Sequence, residues 1–302
     1  MKIAVLGSGS IGLYYGARLA AGAGEEVHFL LRSGYDEAAH EGIRVFSPEG
    51  DLHIQPVLAH RDTAGIGPCD LVIVALKTTP NAVLDALIPP LLGPDTMLLT
   101  LQNGLGSDEA LAAHFGAERV LGGLCFVCLT RRTPAQVDHF GHGSVSLGEF
   151  DRAPQPRTER VAEAFRRAGV ETRVVENLVA ERWKKLVWNV PFNGLAVAEG
   201  GIAVDRILAD PRLEAEVRAL MQEVIATAAA LGHTIRPDFI DFQIDRTRTM
   251  GAYQPSTLID FLAGREIELD AIWAEPLRRA RAAHVPTPLL EALVENPQHL
   301  SH

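Results

Sequence analysis

A glycine-rich turn at the amino terminus places the strongest constraint on the fold of this chain. The apolar run Lys2–Leu6 predicts a β-strand, and the small and apolar residues from Ile11 to Ala21 predict a buried helix. The segment GSGSIG between them matches the pattern G-x-G-x-x-G. In this pattern the first glycine permits a tight turn, the second lets the backbone approach a pyrophosphate, and the third permits close packing of helix on strand. The predicted phosphate-binding residues are Gly7, Ser8, Gly9, Ser10, Ile11 and Gly12.

The position of this motif decides its interpretation. It directly follows the first strand and opens the first helix, and Glu26–Leu31 supplies the next strand of a βαβ unit of about 30 residues. Free N–H groups and the partial positive charge at the start of the helix favour bound phosphate. We therefore predict a dinucleotide site. The alternative is a glycine-rich turn that binds nothing.

The residue after the second strand indicates which dinucleotide is bound. Sites for NAD usually carry Asp or Glu there, about 20 residues after the glycines, whereas this chain has Arg32. A guanidinium suits the additional 2′-phosphate of NADP. Lys77, just after the apolar run Leu71–Leu76, is a candidate second cation for that phosphate. The sequence thus favours NADP, and the alternative for both side chains is a solvated surface charge.

The hydrophobic pattern divides the chain into two domains. Strands alternate with helices up to about residue 175, and the later periodic segments are helical. Residues 1–174 are predicted to form a Rossmann-type NADP-binding α/β domain, and residues 175–302 an all-helical domain that carries substrate-binding and catalytic residues. Further strands of the first domain are predicted at Leu71–Leu76, Met97–Leu101, Val120–Leu129 and Ser144–Leu147, and helices at Asn81–Leu87 and Thr158–Ala168. Helices of the second are predicted at Ala180–Trp188, Pro211–Leu231, Pro237–Phe242, Leu258–Leu262 and Ile267–His284.

Composition and charge narrow the range of partners. The formal net charge is −10 and the chain has no run of Lys or Arg, so nucleic acid and anionic membranes are not expected partners. It begins without the features of a signal peptide and has no apolar run of the roughly 18 to 20 residues that span a bilayer. These features predict a cytoplasmic protein with a small-molecule substrate. A homodimer formed through the helical domain is compatible with the sequence, although periodicity does not determine the oligomeric state.

Two of the three cysteines are closely spaced. Cys125 and Cys128 have the spacing of a redox pair or of half a zinc site, but no second Cys or His pair stands at a recognisable spacing. Their surroundings, LCFVCL, favour a buried strand in which Cys is a small hydrophobic residue. We predict no metal site.

A polar stripe crosses one predicted helix of the second domain. Lys185, Asn189 and Asn193 recur every four residues and therefore share one narrow face. A lysine with two amides on an otherwise apolar helix is typical of a ligand site. The alternative is a partly buried face whose Asn side chains are satisfied by the backbone.

Taken together, these segments resemble the ketopantoate reductase (2-dehydropantoate 2-reductase) family over essentially the whole chain. The resemblance is carried by KIAVLGSGSIGLYYGARLA at residues 2–20, LVIVALKT at 71–78, LQNGLG at 101–106, the K-L-x-x-N segment at 185–189 and a long carboxyl-terminal stretch at 256–288. It implies NADPH-dependent reduction of ketopantoate to pantoate, a step of pantothenate biosynthesis.

The resemblance also implies a role for particular residues. Lys185 would be the catalytic lysine, with Glu268 as an acidic partner of the substrate or of the lysine. Asn103, Asn189 and Asn193 would line the substrate site, with Asn103 also near the cofactor, and the hydroxyl of Ser256 would bind the substrate carboxylate. Arg32 and Lys77 occupy the positions at which the family holds the 2′-phosphate. The alternative for Glu268 is a solvent-facing helix charge.

These roles make chemical sense for a 2-oxo acid. Hydride transfer to C2 of the ketone develops negative charge on the carbonyl oxygen, which must be stabilised at that moment. The Lys185 ammonium can hydrogen-bond that oxygen and deliver a proton as a general acid. Ser256 and the amides can hold the carboxylate, and Glu268 can orient a substrate hydroxyl.

One residue departs from the family pattern. Pro191 falls between Asn189 and Asn193, where a proline removes a backbone donor and crowds the carbonyl of Val187, so we expect a kink that turns Asn193 away from the substrate.

Two alternative functions of the protein therefore stay open. One is a reductase of the same two-domain plan acting on another 2-oxo acid or on a 3-hydroxy acid. The other is a protein that senses NADPH without turnover, although the presence of both Lys185 and Glu268 argues against it.

Overall fold

A mixed β-sheet forms the centre of the amino-terminal part of the chain. The computed structural model describes residues 1–22, 24–78 and 83–295, and this sheet contains ten of its strands. They are β1 (Lys2–Leu6), β2 (Glu26–Leu30), β3 (Ile43–Phe46), β4 (Leu52–Ile54), β5 (Leu58–His60), β6 (Leu71–Val74), β7 (Met97–Thr100), β8 (Val120–Thr133), β9 (Gln136–Glu149) and β10 (Thr172–Val174). The helices of this part are α1 (Ser10–Gly22), α2 (Tyr35–Glu41), α3 (Leu84–Leu87), α4 (Ser107–Phe115) and α5 (Pro156–Arg167).

The order of the strands confirms the predicted fold class. The sheet runs β4-β3-β9-β8-β7-β6-β1-β2-β5, with β10 added beside β9. Neighbouring strands from β5 through β1 to β8 are all parallel. The parallel strands lie in the order β5-β2-β1-β6-β7-β8. Numbered among themselves along the chain, they have the order 3-2-1-4-5-6 of a Rossmann-type dinucleotide-binding sheet.

Both faces of the parallel sheet are covered, which explains the continuous apolar runs in the sequence. Ile3 and Val5 belong to a core cluster shared with α1 and α5. Ala4 and Leu6, which point to the opposite face, belong to a second cluster that includes residues of α3 and α4. The helix predicted from Asn81 is α3 over its described part, and Asn81 itself lies outside the described residues.

A long antiparallel hairpin extends the sheet beyond the predicted strands. β8 and β9 each span 14 residues, whereas the sequence predicted only Val120–Leu129 and Ser144–Leu147. In the first residues of β9, from Gln136 to Phe140, buried residues alternate with half-buried or exposed ones. Such alternation is typical of antiparallel strands with one face in solvent, and it lacks the continuous apolar signal of the parallel strands.

The chain after β10 is helical in its described part, as predicted. Its helices are α6 (Leu178–Ala198), α7 (Val204–Ala209), α8 (Pro211–Ala230), α9 (Phe239–Arg248), α10 (Ser256–Leu262), a π-helix (Asp270–Ala274), α11 (Glu275–Ala282) and α12 (Pro288–Glu295). Trp183, Val187 and Val190 of α6 pack in one core cluster with residues of α8 and of the π-helix. No helix in the described ranges is both long enough and apolar enough to span a bilayer.

Contacts divide the chain into two structural units at a point slightly later than the sequence indicated. The first contains residues 1–102 and 107–178, and the second contains Asn103–Gly106 together with the chain from Val179 onward. The sequence placed the domain boundary after residue 174 and assigned Asn103 to the first domain. The sequence could not predict that Asn103–Gly106 belong to the helical unit, because no change of composition distinguishes these four residues from their neighbours.

Candidate active site

The glycine turn, Arg32 and Lys77 all follow strands that lie side by side. Leu6 at the end of β1 is in register with Leu30 of β2 and with Val74 of β6. Because the carboxyl ends of parallel strands meet at one edge of a sheet, the residues that follow these strands share that edge. Arg32 is exposed and Lys77 is half-buried, and the Lys77 carbonyl accepts a hydrogen bond from Gln102 Nε2 at 3.1 Å.

Two glycines of the turn leave no room for a side chain. A Cβ on Gly12 would lie 2.0 Å from the carbonyl oxygen of Gly7, and one on Gly7 would lie 2.7 Å from the backbone of Ala75. Gly7 also has a φ of +121°. These contacts let α1 pack tightly against the end of β1, as the pattern requires.

Gly9 differs from the other two glycines of the motif. The nearest atom to a Cβ on Gly9 would be the Ala75 carbonyl oxygen, at 3.9 Å, so the protein itself does not require a glycine here. The space beside Gly9 fits the close approach of a pyrophosphate. The first turn of α1 contains no acidic side chain, so its free N–H groups and positive dipole end are not neutralised from within that turn. The residues present therefore fit a dinucleotide.

In the helical unit, Lys185 contacts the side chain of Asn103. The Lys185 ammonium donates a hydrogen bond to Asn103 Oδ1 at 2.7 Å. Asn103 stands on a loop, Asn103–Gly106, that packs against the π-helix. The N–H of Leu105 donates to the Ala271 carbonyl at 3.0 Å, and a Cβ on Gly104 would lie 2.3 Å from the same oxygen. Gly104 has a φ of +80°, so both its conformation and its contacts require glycine.

A buried arginine, which the sequence analysis did not single out, also contacts this loop. Arg182 is only 4% exposed, and its Nη1 donates to the Gly104 carbonyl at 3.4 Å. It lies on α6 one turn before Lys185, so two cations of one helix contact the same loop. A charged residue is seldom buried, and the sequence carries no mark that separates Arg182 from the solvated charges beside it.

The two asparagines on α6 are buried, and both ends of the Asn193 amide form a hydrogen bond with the backbone. Its Nδ2 donates to the Asn189 carbonyl at 3.0 Å, and its Oδ1 accepts from the Thr257 N–H at 3.2 Å. Asn193 therefore connects α6 to the first turn of α10, where Ser256 is exposed. These contacts are those of an Asn side chain whose polar groups bond the backbone, which is one of the two interpretations of the sequence. That Asn193 also contacts a substrate stays a prediction.

Pro191 does not end the helix. α6 continues through it as one helix from Leu178 to Ala198. Glu268 is half-buried and lies two residues before the π-helix, with its carbonyl accepting from the Ile272 N–H at 3.3 Å. A π-turn of this kind is rare and often occurs at functional sites.

Lys184 has different surroundings from Lys185. Its ammonium pairs with Glu181 at 2.6 Å within the same helix, in an i,i+3 ion pair. The Lys185 ammonium, which carries three N–H donors, instead contacts the neutral amide oxygen of Asn103. The arrangement at Lys185 and Asn103 can therefore donate a proton or a hydrogen bond to a developing oxyanion.

The cysteine pair has the surroundings expected of a buried strand. Cys125 and Cys128 lie on β8, one buried and one half-buried, and neither forms a disulfide. Three residues along a strand span roughly 10 Å, which is too far for a disulfide without backbone movement. Within residues 1–22, 24–78 and 83–295, no three His, Cys, Asp or Glu side chains are grouped as metal ligands.

Comparison with known proteins identifies the family. Residues 3–152 match the model of the ketopantoate reductase PanE/ApbA family, and residues 177–300 match the model of its carboxyl-terminal domain. The chain belongs to the ketopantoate reductase family. A 2-dehydropantoate 2-reductase of Nostoc sp. is 38% identical over 97% of this chain and 92% of that protein. The crystal structure of 2-dehydropantoate 2-reductase from Geobacter metallireducens has 44% identity and a TM-score of 0.94, covering 98% of this chain and 99% of that one.

A more distant structure has the same fold. D-mandelate dehydrogenase in a ternary complex with NADH and anilino(oxo)acetate has a TM-score of 0.88 at 21% identity, covering 98% of this chain and 96% of that one. Membership of the ketopantoate reductase family makes this chain a dinucleotide-binding oxidoreductase. The fold alone does not determine which dinucleotide or which 2-oxo acid a member uses.

The surroundings of Gly12 and Gly9 predict that substitution of the first affects folding and substitution of the second affects dinucleotide binding. We expect Gly12→Ala to destabilise the protein, because its Cβ would overlap the Gly7 carbonyl, and we expect Gly9→Ala to leave stability within about 0.5 kcal/mol. Gly9→Ala should nevertheless weaken dinucleotide binding, since the new methyl occupies the space that the pyrophosphate needs. Urea denaturation and NADPH titration of both variants check this. Unchanged NADPH affinity in Gly9→Ala would contradict the assignment of this turn to phosphate.

Proposed function

We propose that this protein reduces 2-dehydropantoate (ketopantoate) to pantoate with NADPH, in the cytoplasm. The observation that carries the proposal is the hydrogen bond of Lys185 with Asn103, in a chain of this family that also has an intact phosphate-binding turn. When bound, the nicotinamide supplies a hydride to C2 of the substrate.

Lys185 acts as the general acid in this proposal. As C2 accepts the hydride, the carbonyl π-electrons move to oxygen, and the Lys185 ammonium stabilises the resulting alkoxide and transfers one proton to it. The products are a secondary alcohol and a neutral amine, which regains its proton from solvent. Asn103 Oδ1 accepts one of the three N–H groups and so orients the ammonium.

The remaining polar groups have roles in binding. Ser256 presents an exposed hydroxyl at the start of α10, suited to hydrogen-bond the substrate carboxylate. Glu268 can accept a hydrogen bond from a substrate hydroxyl, which ketopantoate has and simpler 2-oxo acids lack. Asn189, 7% exposed, is a candidate for a further amide contact.

Arg32 supports the choice of NADPH over NADH. It is exposed two residues beyond the last residue of β2, at the edge of the sheet that also carries the glycine turn. A guanidinium there can bind the 2′-phosphate in bidentate fashion, whereas the carboxylate that usually binds the ribose hydroxyls of NAD is absent. Lys77 follows β6 at the same edge and supplies a second cation.

A direct assay tests the proposed reaction. The purified protein should oxidise NADPH with ketopantoate at a kcat/KM at least about 100-fold above that for pyruvate or phenylglyoxylate, because a site built to bind the substrate hydroxyl discriminates strongly against analogues that lack it. A higher kcat/KM with phenylglyoxylate would favour the reductase of another 2-oxo acid, as the fold shared with D-mandelate dehydrogenase allows. NADPH binding without turnover of any of the three acids would favour a sensor.

Substitution of Lys185 should slow catalysis without weakening the binding of NADPH. We expect Lys185→Ala to lower kcat by about 10² to 10⁴, equivalent to roughly 3 to 5 kcal/mol, because the general acid is lost. The Kd for NADPH should stay nearly unchanged. Lys184→Ala is the matched control, since that ammonium pairs with Glu181 and points about 100° around the helix. A larger loss of kcat in Lys184→Ala would place the catalytic lysine one residue earlier.

Cofactor preference should reverse at Arg32. Arg32→Glu removes a charge-assisted hydrogen bond of roughly 1.5 to 3 kcal/mol, so the Kd for NADPH should rise by about 10- to 100-fold while that for NADH stays equal or falls. Arg206→Glu, an exposed arginine on α7, makes the same change in net charge and should alter neither affinity. Equal affinity of the native protein for NADPH and NADH would exclude a 2′-phosphate site at Arg32.

A further inference from the structure

The three tryptophans of the chain lie in the helical unit and differ in what their indole N–H groups contact. Trp183 and Trp273 are both fully buried. Trp183 Nε1 has no hydrogen-bond partner among the described residues. Trp188 Nε1 donates to Thr247 Oγ1 at 2.9 Å, and Trp273 Nε1 donates to the backbone carbonyl of Val190 at 3.0 Å. Only the last of these bonds reaches the backbone of α6.

The carbonyl that Trp273 contacts is next to Pro191. A proline inside a helix removes one backbone donor and crowds the carbonyl four residues earlier, here Val187. Around this point two successive carbonyls accept side-chain donors: Asn189 from Asn193 Nδ2, and Val190 from Trp273 Nε1. Both donor side chains are buried, so these bonds are protected from competition with water.

A glycine one turn later makes room for the indole. A Cβ on Gly194 would lie 3.1 Å from Trp273 Nε1 and 3.0 Å from Leu293 Cδ1, which is tighter than ordinary contact. Glycine in a helix interior costs about 1 kcal/mol relative to alanine. Its presence here is explained by the close approach of the indole to α6.

The π-helix, which carries Trp273, contacts both the loop that carries Asn103 and the helix α6 that carries Lys185. The π-helix accepts the Leu105 N–H at the Ala271 carbonyl, which holds the loop that carries Asn103. Two residues later, Trp273 bonds α6 at Val190, less than two turns beyond Lys185. The π-helix thus fixes the acceptor loop with its backbone and the donor helix with one side chain.

We propose that Trp273 is a positioning residue for Lys185: its indole N–H holds the proline-containing segment of α6 against the π-helix, so that the ammonium stays aligned with Asn103 and with the substrate carbonyl. As a statement about catalysis this inference rests on the proposed function. A misplacement of about 1 Å can cost on the order of 100-fold in rate, so loss of one anchoring bond should be measurable.

Three Trp→Phe variants isolate the N–H from the loss of ring volume. Trp273→Phe removes the bond to Val190, and Trp183→Phe makes the same change at an equally buried ring whose N–H has no partner in the described structure. Trp188→Phe removes a side-chain bond on α6 that does not involve the α6 backbone. We expect kcat, normalised to NADPH-binding sites, to fall about tenfold in Trp273→Phe and to stay within about twofold in the other two variants. The Kd for NADPH should be unchanged in all three.

Hydrogen exchange gives a readout that requires no substrate. Amides of residues 187–195 should exchange faster in Trp273→Phe than in Trp183→Phe, because only the former frees the segment around Pro191. If the protein reduced no 2-oxo acid, the proposed function would fail, while the exchange comparison would still decide whether Trp273 holds this segment. Equal exchange in the two variants, or equal normalised kcat, would overturn the proposal.

A second variant covers the case in which Trp273→Phe does not fold. Gly194→Ala places a methyl 3.1 Å from Trp273 Nε1 and should displace the indole from Val190, while alanine favours the helix. It should reproduce the faster exchange and the lower normalised kcat with NADPH affinity retained. Wild-type values of both in a folded Gly194→Ala protein would count against the positioning role.

Discussion

The hydrogen bond from Lys185 to Asn103 joins two elements of the helical unit, α6 and the loop 103–106. It joins residues 82 positions apart, so neither local propensity nor helix periodicity can create it. It requires α6 to present the ammonium and the loop 103–106 to present the amide. Both in turn pack on the π-helix, through Val190 and through Leu105. One short π-helix therefore contacts both elements that carry the partners of this hydrogen bond.

Much of the first unit could be predicted from the sequence because parallel strands covered on both faces leave an unmistakable apolar signal. β1 has its predicted bounds, and β2, β6 and β7 end within two residues of theirs. The hairpin β8–β9 was underestimated because its outer part is rich in polar residues and glycine and contains no continuous apolar run. The short strands β3, β4 and β5 were missed, since segments of three or four residues give no readable period.

The sequence could predict individual residues of the candidate site, but it could not predict the contacts among residues that are far apart in the chain. The four-residue recurrence on α6 and the family resemblance pointed to Lys185, Asn103, Ser256 and Glu268, and the glycine turn was identified from its sequence pattern and its position between a strand and a helix. Spacing could not show that Arg182 is buried against Gly104, that Asn193 bonds the start of α10, or that loop 103–106 belongs with the helices. Each of these depends on contacts between residues more than 60 positions apart.

Pro191 shows why a local rule can be broken at such a site. A proline in a helix interior costs about 3 kcal/mol, and the bond that Asn193 makes within α6 reaches the Asn189 carbonyl, not the Val187 carbonyl to which residue 191 would otherwise donate. The second donor, Trp273, comes from the π-helix, and the glycine that admits it carries a further cost of its own. The side-chain bonds to the backbone around Pro191 are therefore partly tertiary, because one of them comes from the π-helix. The same π-helix also bonds the loop that carries Asn103, so the segment of α6 around Pro191 and the partner of Lys185 share one point of attachment.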